Sequence, residues 1–327
     1  MPRRAIPPPA QRLAWLRPRA DSELTVALTS VKSREGTIPV PGGKVWYQVL
    51  GEGGVPLLVL HGGPGFPHDY LETLGDLADH HTVVFYDQLG CGRSDRPDDR
   101  SLWTIDRAVE EVATVRAALG LERMHLFGNS WGGWLALQYT LDRKPQLESL
   151  ILSSSPPSVP RWIVDANELR SQLPDEVRRV LDDHERRGFF DCPEYTAAIM
   201  VFYKRHLCRL EQWPQGVEYA VGPGFGQQPY LTMWGPSEFG PVLGNLKNWD
   251  VTGRLHEISV PTLIARPAAL RAMHQAIKGS QLVIFEKSSH MAFVEEREAY
   301  MTAINRFLKR VEGVDESPLP TGRETTP

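Results

Sequence analysis

Continuous apolar runs that end in glycine or polar residues alternate with amphipathic segments along the first half of the chain. The runs "VPLLVLHGGPG" and "HTVVFYDQLGCGRSD" have no polar alternation, which predicts strands buried on both faces of a parallel sheet. "TIDRAVEEVATVRAALG" has apolar residues at helical spacing and ends at Gly120, a typical helix C-terminal residue. "RMHLFGNSWGGWLALQYTLDRK" predicts a strand, a tight turn and a helix, and "LESLILSSSPPS" predicts another buried strand.

The order of these elements predicts the domain organisation. A hairpin around Pro-Gly-Gly opens a doubly wound α/β domain over residues 35–158, and "ISVPTLIA" and "QLVIFEKSSH" resume the strands within residues 248–312. Residues 159–247 contain charged, helical-spaced segments and no buried strand run, which predicts a helical cap inserted into the domain. The Pro-rich residues 1–34 and the polar residues 313–327 are predicted to be disordered tails.

Composition narrows the possible partners and compartments. The 327 residues are 41% hydrophobic and carry 36 basic against 40 acidic side chains, which favours neither nucleic acid nor an anionic membrane as a partner. The Arg-rich N-terminus has no apolar core, so it does not match a secretory signal; a transit peptide and a disordered or mis-started tail are the alternatives. The cysteines Cys91, Cys192 and Cys208 have no paired spacing, which predicts a cytoplasmic protein without disulfides or a metal site.

The stretch "GNSWGG" nominates Ser130 as a nucleophile. It has the pattern G-x-S-x-G, and it lies between a predicted strand and a predicted helix. A turn this tight strains its central residue and lifts the serine hydroxyl above the sheet, while the helix N-terminus behind it favours an anion. The alternative is an ordinary glycine-rich turn between a strand and a helix.

An acyl-transfer site also needs oxyanion donors and a base. "HGGPG" directly follows a buried strand, so the N–H of Gly63 is expected to pair with the N–H of Trp131, the residue after the serine. Gly62 allows the backbone of this loop to approach the substrate closely. His290 follows the last predicted strand, and the order serine then histidine is that of α/β-hydrolases, so we expect His290 to be the base.

Together these motifs resemble the proline iminopeptidase family of α/β-hydrolases. The matching segments lie within residues 36–311 and are "LHGGPG", "YDQLGCGRSD", "GNSWGGWLALQY", "FYKRHLCRL", "MWGPSEF" and "SSHMAF". The resemblance implies an α/β-hydrolase fold with a helical cap as a lid, and a cofactor-independent serine peptidase. Its substrates would be small peptides or aminoacyl amides, from which it removes an N-terminal residue, often proline. It also implies that Glu238 binds the free α-ammonium of the substrate; a salt bridge within the lid is the alternative role.

One departure from the family pattern falls on the site. Members of the family carry a Gly-x-x-Asp-Glu loop after the strand at "PTLI", and its aspartate orients the histidine. Here residues 260–285 contain no acidic residue, and Pro267 follows the strand almost directly, so no triad acid is identified. Three explanations stay open: a nearly inactive natural relative, a replacement acid elsewhere in space, or an error in the sequence. A pseudo-hydrolase that binds a ligand and a carboxylesterase or amidase are the alternative functions, and the oligomeric state is not determined.

Overall fold

A single twisted sheet of eight strands organises the part of the chain that the structure describes. The structure is a computed structural model, and it describes residues 32–239, 242–266 and 271–314. The strand order is β1-β2-β4-β3-β5-β6-β7-β8. Its strands are β1 (Ser33–Val40), β2 (Gly43–Leu50), β3 (Leu57–Leu60), β4 (Val83–Tyr86), β5 (Met124–Asn129), β6 (Leu147–Ser153), β7 (Thr262–Arg266) and β8 (Gln281–Ile284).

The apolar runs of the sequence become the parallel strands. The strands β3 to β8 pair in parallel, and β1 and β2 form the predicted antiparallel hairpin that joins the sheet at β4. Every residue of β3, β4 and β5 is buried, because helices cover both faces of the sheet. The α/β-hydrolase fold class predicted from the sequence is therefore confirmed.

Of the two core helices between β4 and β6, only the first begins at a residue whose side chain caps it. The first, α1 (Ile105–Ala118), starts after Thr104, whose hydroxyl accepts a hydrogen bond from the N–H of Arg107. The second, α2 (Trp131–Arg143), follows Ser130 directly and packs on β5. Further 3₁₀ segments cover His68–Asp79, Arg100–Leu102 and Thr252–Glu257.

Among the described residues, five α-helices lie within the predicted cap at residues 159–247, between β6 and β7. They are α3 (Val159–Ser171), α4 (Asp175–Arg187), α5 (Pro193–His206), α6 (Gln215–Val221) and α7 (Gln227–Met233). The helical spacing of apolar residues runs from residue 193 to residue 213, but α5 ends at His206. Residues 208–212 continue as loop, with the N–H of Arg209 donating to the side chain of Glu295.

The chain closes with α8 (Arg271–Ala276), α9 (Ala292–Glu295) and α10 (Arg297–Val311). None of the helices within the described ranges is long and apolar enough to span a membrane. The predicted disordered tails fall largely on residues 1–31 and 315–327, and the junction at Pro267 falls on residues 267–270. These predictions lie outside the described residues.

Candidate active site

The backbone at Ser130 has the strained geometry that a nucleophile turn requires. Ser130 has φ 56° and ψ −123°, a conformation that non-glycine residues rarely adopt. The N–H of Ser130 donates to the carbonyl of Ser153 at 3.0 Å, and the hydroxyl of Ser155 donates to the carbonyl of Ser130 at 2.9 Å. Bonds from the neighbouring strand therefore hold this turn between β5 and α2.

The glycines beside Ser130 are dictated by close backbone contacts. A Cβ atom on Gly132 would lie 2.1 Å from the carbonyl oxygen of Leu60, and one on Gly128 would lie 2.3 Å from that of Gly132. Helix α2 can start this close to the ends of β3 and β5 only where side chains are absent. The motif is therefore a packing requirement as well as a chemical one.

The two amides expected to bind an oxyanion flank the serine. Across the described residues, neither the N–H of Gly63 nor the N–H of Trp131 takes part in a hydrogen bond. Trp131 is the first residue of α2, where backbone N–H groups have no partner within the helix. Gly63 has φ 116°, which favours glycine and turns the loop after β3.

Gly62 lies next to the nucleophile, but its amide is already occupied. A Cβ atom on Gly62 would be 3.2 Å from the Cβ of Ser130. The N–H of Gly62 donates to the hydroxyl of Tyr70 at 2.7 Å, and that hydroxyl donates to Oδ1 of Asn129 at 2.8 Å. Burial raises the pKa of Tyr70, so the phenol stays protonated and can donate. Tyr70 thus joins the glycine loop to the end of β5.

His61, which precedes this loop, has a structural role. Its Nε2 accepts a hydrogen bond from the N–H of Gln88 at 2.8 Å, and its Nδ1 lies 3.1 Å from the carbonyl of Gly62, to which it donates. Burial lowers the pKa of His61 to about 4, so the ring is neutral at neutral pH. The side-chain oxygen Oε1 of Gln88 accepts a hydrogen bond from the indole N–H of Trp131 at 2.8 Å, which extends this network to α2.

His290 lies between the end of β6 and the inserted helices. Its N–H donates to the carbonyl of His206 at 3.2 Å, and the hydroxyl of Ser154 donates to its carbonyl at 2.9 Å. The ring of Trp162, on α3, meets the imidazole edge-on with centroids 5.7 Å apart. The insertion therefore helps to hold His290. His206 itself also lies in the pocket wall.

One pocket beneath the inserted helices contains Ser130, His290, Gly62, Gly63 and Glu238. The structure therefore brings together five of the six predicted site residues. The side chain of the sixth, Trp131, points instead into the core, where it is buried against Gln88. Only the backbone amide of Trp131 was assigned a role, so this placement agrees with that assignment. Aromatic side chains form much of the wall: Phe66, Tyr70, Trp134, Trp162, Phe202, Tyr203, Phe225, Tyr230 and Trp234.

Glu238 is held by tyrosines rather than by a cation. Its Oε1 accepts hydrogen bonds from the hydroxyls of Tyr203 at 2.9 Å and Tyr230 at 2.6 Å. Throughout the described ranges, no Lys, Arg or His side chain lies within 4.0 Å of its carboxylate oxygens. Burial raises the pKa of Glu238, and the tyrosine hydrogen bonds oppose that rise. A desolvated carboxylate without a counter-ion is suited to receive a cationic group.

The loop around Glu238 is anchored to the inserted helices. The hydroxyl of Ser237 donates to Oε1 of Glu185 at 2.9 Å and accepts from the N–H of Phe239 at 3.1 Å. Glu185 also pairs through Oε2 with the guanidinium of Arg170 at 2.7 Å. These contacts between α3, α4 and the loop set the position of the carboxylate relative to Ser130.

Two further carboxylates, Asp165 and Glu286, line the same pocket. Asp165 pairs with Arg161 one turn earlier on α3, at 2.7 Å. Glu286 is exposed near the start of the loop that follows β8. The segment expected to carry the triad acid begins after Arg266, and residues 267–270 lie outside the described part of the chain.

Several residues of the site were not singled out from the sequence. Tyr70 and Asn129 hold the glycine loop, and Gln88 connects it to Trp131. Asn129 and Gln88 lie within the quoted "GNSWGG" and "YDQLGCGRSD" motifs, so the motifs contained a signal for them. Tyr70 lies in a 3₁₀ segment that carried none.

Comparison with known proteins identifies the family. The chain matches the α/β hydrolase fold family over residues 55–297. It is 42% identical to a proline iminopeptidase of Heyndrickxia coagulans over 286 residues, which cover 85% of this chain and 99% of that protein. The chain belongs to the proline iminopeptidase family. A relative of the same name from Saccharolobus solfataricus is 40% identical, over 88% of this chain and 96% of that protein.

Solved structures agree with this membership. The crystal structure of proline iminopeptidase from Mycobacterium smegmatis superposes with a TM-score of 0.76 at 35% identity, over 85% of this chain and 99% of that chain. The resemblance seen in the sequence motifs is thus confirmed. The chain is a serine hydrolase of this family.

Proposed function

We propose that this chain is a serine exopeptidase that releases the N-terminal residue, often proline, from small peptides or aminoacyl amides. The observation that carries the proposal is the position of Glu238, whose carboxylate shares one pocket with Ser130 and His290 and has tyrosine hydroxyls as its partners. A carboxylate there binds the free amine of a substrate's first residue and disfavours blocked peptides. The relatives named proline iminopeptidase support the same substrate class.

The shared pocket supports the following reaction as part of this proposal. The Ser130 hydroxyl attacks the carbonyl carbon of the first residue, and His290 takes its proton. The N–H groups of Gly63 and Trp131 stabilise the oxyanion. His290 then protonates the leaving amine, and water hydrolyses the acyl-enzyme through the same base.

The absence of a triad acid from residues 260–285 limits the rate in this proposal. Removing the orienting carboxylate from serine proteases lowers kcat by roughly 10⁴-fold, because the imidazole loses its tautomer and the support of its charged form. Two carboxylates are available in the pocket as replacements, Asp165 and Glu286. A pseudo-hydrolase would show no turnover at all, and a carboxylesterase would not require the amine.

Hydrolysis of prolyl- and alanyl-arylamides, with and without Ser130→Ala, tests the proposal. Turnover that Ser130→Ala abolishes supports it, whereas ester hydrolysis with no arylamide hydrolysis refutes it. Asp165→Asn and Glu286→Gln then test for a replacement acid. If one of these carboxylates supports His290, its variant should have a lower kcat and a shifted acid limb in the pH dependence of kcat. If neither variant loses rate, insertion of Gly-x-x-Asp-Glu before Pro267 tests whether the missing loop limits the enzyme.

The compartment and the partners belong to the same proposal. All three cysteines are free thiols, two of them buried, which supports a reducing compartment such as the cytoplasm. The proposed partner is a small peptide substrate and neither nucleic acid nor a membrane.

A further inference from the structure

The turn between α4 and α5 gathers three side chains with metal-binding chemistry, away from the active-site pocket. His184 lies in the last turn of α4, Cys192 precedes α5 and Glu194 lies in its first turn. A ring nitrogen of His184, Sγ of Cys192 and a carboxylate oxygen of Glu194 all lie within 4.8 Å of one another. His184 and Cys192 are half-buried, and Glu194 is exposed.

One ring nitrogen of His184 is hydrogen-bonded to the backbone of its own helix, which leaves the other for a metal. The Nδ1 of His184 lies 2.9 Å from the carbonyl oxygen of Val180. Because a carbonyl can only accept, Nδ1 carries the proton and Nε2 keeps its lone pair for a metal. A histidine ligand commonly donates its other ring N–H to a backbone carbonyl in this way, which fixes both the tautomer and the ring orientation.

Helix capping alone does not account for a thiol at this position. The Cys192 side chain caps α5 by accepting from the N–H of Tyr195 at 3.5 Å, and a thiol sulfur is a weak acceptor. Oxygen side chains are the preferred caps, and the neighbouring helix α3 uses Ser158. The sulfur is thus a poor cap that lies beside an imidazole and a carboxylate.

We propose that His184, Cys192 and Glu194 form a binding site for a zinc ion, with water as the fourth ligand. Nitrogen, thiolate and carboxylate ligands suit zinc, whereas magnesium and calcium prefer oxygen alone. Ligand atoms around tetrahedral zinc lie roughly 3.3–3.7 Å apart, given metal–ligand bonds of about 2.0–2.3 Å. Since the three atoms lie within 4.8 Å of one another, they need to approach by at most about 1–1.5 Å, which the exposed Glu194 side chain and small rotations of the others can supply.

A zinc ion here would clamp the α4–α5 hairpin next to the loop that carries Glu238. Glu185 follows His184, and its Oε1 accepts from the hydroxyls of Ser237 at 2.9 Å and Tyr195 at 3.1 Å. Tyr195 lies directly after Glu194. Metal binding would therefore stabilise the part of the insertion that positions the pocket carboxylate. The sequence predicted no metal site because Cys192 has no second cysteine nearby; the helical hairpin supplies the histidine instead.

Metal titration of the reduced, metal-free protein tests the site without any substrate, so the result stands whether or not the chain is a peptidase. Zinc affinity is measured by competition with a chromophoric chelator, and Co²⁺ replaces zinc to reveal a cobalt–thiolate charge-transfer band. We expect one equivalent to bind, at least tenfold more weakly in Cys192→Ser and His184→Ala, and the cobalt band to vanish in Cys192→Ser. Thermal unfolding temperature should rise with zinc only in the parent protein and in the control His256→Ala, which alters an exposed histidine.

Three results would overturn the proposal. The cobalt complex could lack a thiolate band, Cys192→Ser could keep the parent affinity, or His290→Ala could be the variant that abolishes binding, which would place the metal in the active-site pocket. Glu194→Gln changes an exposed side chain and keeps the fold, so a several-fold loss of affinity is expected even if the other variants fold poorly. An unchanged affinity in that variant would also count against the site.

Discussion

Replacing Glu238 with glutamine isolates the charge that is proposed to bind the substrate's amine. Glutamine has the same shape, and its Oε1 can still accept the hydrogen bonds from Tyr203 and Tyr230, found at 2.9 and 2.6 Å. The pocket should therefore keep its form while its anion is lost. The effect should appear only on substrates that carry a free α-amine.

The expected size follows from the burial of the carboxylate. A hydrogen bond to a charged group contributes about 1.5–3 kcal/mol, and each 1.36 kcal/mol is a factor of ten, so kcat/KM for a prolyl-arylamide should fall about 10- to 150-fold. Burial raises the pKa of Glu238 above its ordinary 4.5. The protonated carboxyl binds an ammonium poorly, so kcat/KM of the parent should also fall as pH drops through that raised pKa.

The assay compares prolyl-arylamide with cyclopentanecarbonyl-arylamide, in which a CH2 group replaces the ring NH of proline, so that the ring size is kept and the amine is lost. The readout is the ratio of kcat/KM between the two substrates, which cancels general losses of activity. Glu286→Gln, a change to another carboxylate of the same pocket, should leave the ratio as it is in the parent. Equal losses on both substrates in Glu238→Gln would refute an amine-binding role and assign Glu238 to positioning the lid.

Three further perturbations test the frame around the site. As the pH falls from 6.5 to about 4, His61 takes up a proton in the unfolded chain but not in the folded protein. Denaturant titrations over this range should therefore show the free energy of unfolding falling by about 3 kcal/mol because of this residue. An equal pH dependence in His61→Gln would contradict this. Gly132→Ala places a Cβ 2.1 Å from the carbonyl of Leu60 and should cost about 1–3 kcal/mol or more of unfolding free energy, whereas Gly253→Ala, with open space around it, should be neutral. Tyr70→Phe leaves two buried polar partners unpaired and should cost about 1–3 kcal/mol with a lower kcat; a silent variant would mean that the glycine loop holds itself.

The sequence by itself determined the features that depend on local pattern. Continuous apolar runs identified the buried strands β3, β4, β5 and β6, because a strand covered on both faces has no polar side to show. A strand, a glycine-flanked serine and a helix in succession located Ser130, because the turn between adjacent elements is itself a local structure. The family motifs added Glu238 without any account of what holds it.

Only the tertiary structure decided which distant groups meet. Tyr203 reaches Glu238 from helix α5, Tyr70 accepts from the amide of Gly62, and His184 lies near Cys192 across the connection between α4 and α5. No spacing rule encodes these pairs, because they arise from how packed helices and strands are oriented rather than from periodicity along the chain. Tertiary structure likewise decides whether His290 has an acid partner, because a carboxylate that replaces the missing triad acid must come from another part of the fold. Local pattern therefore defines the strands and the nucleophile, while long-range packing defines the electrostatics that make them a site.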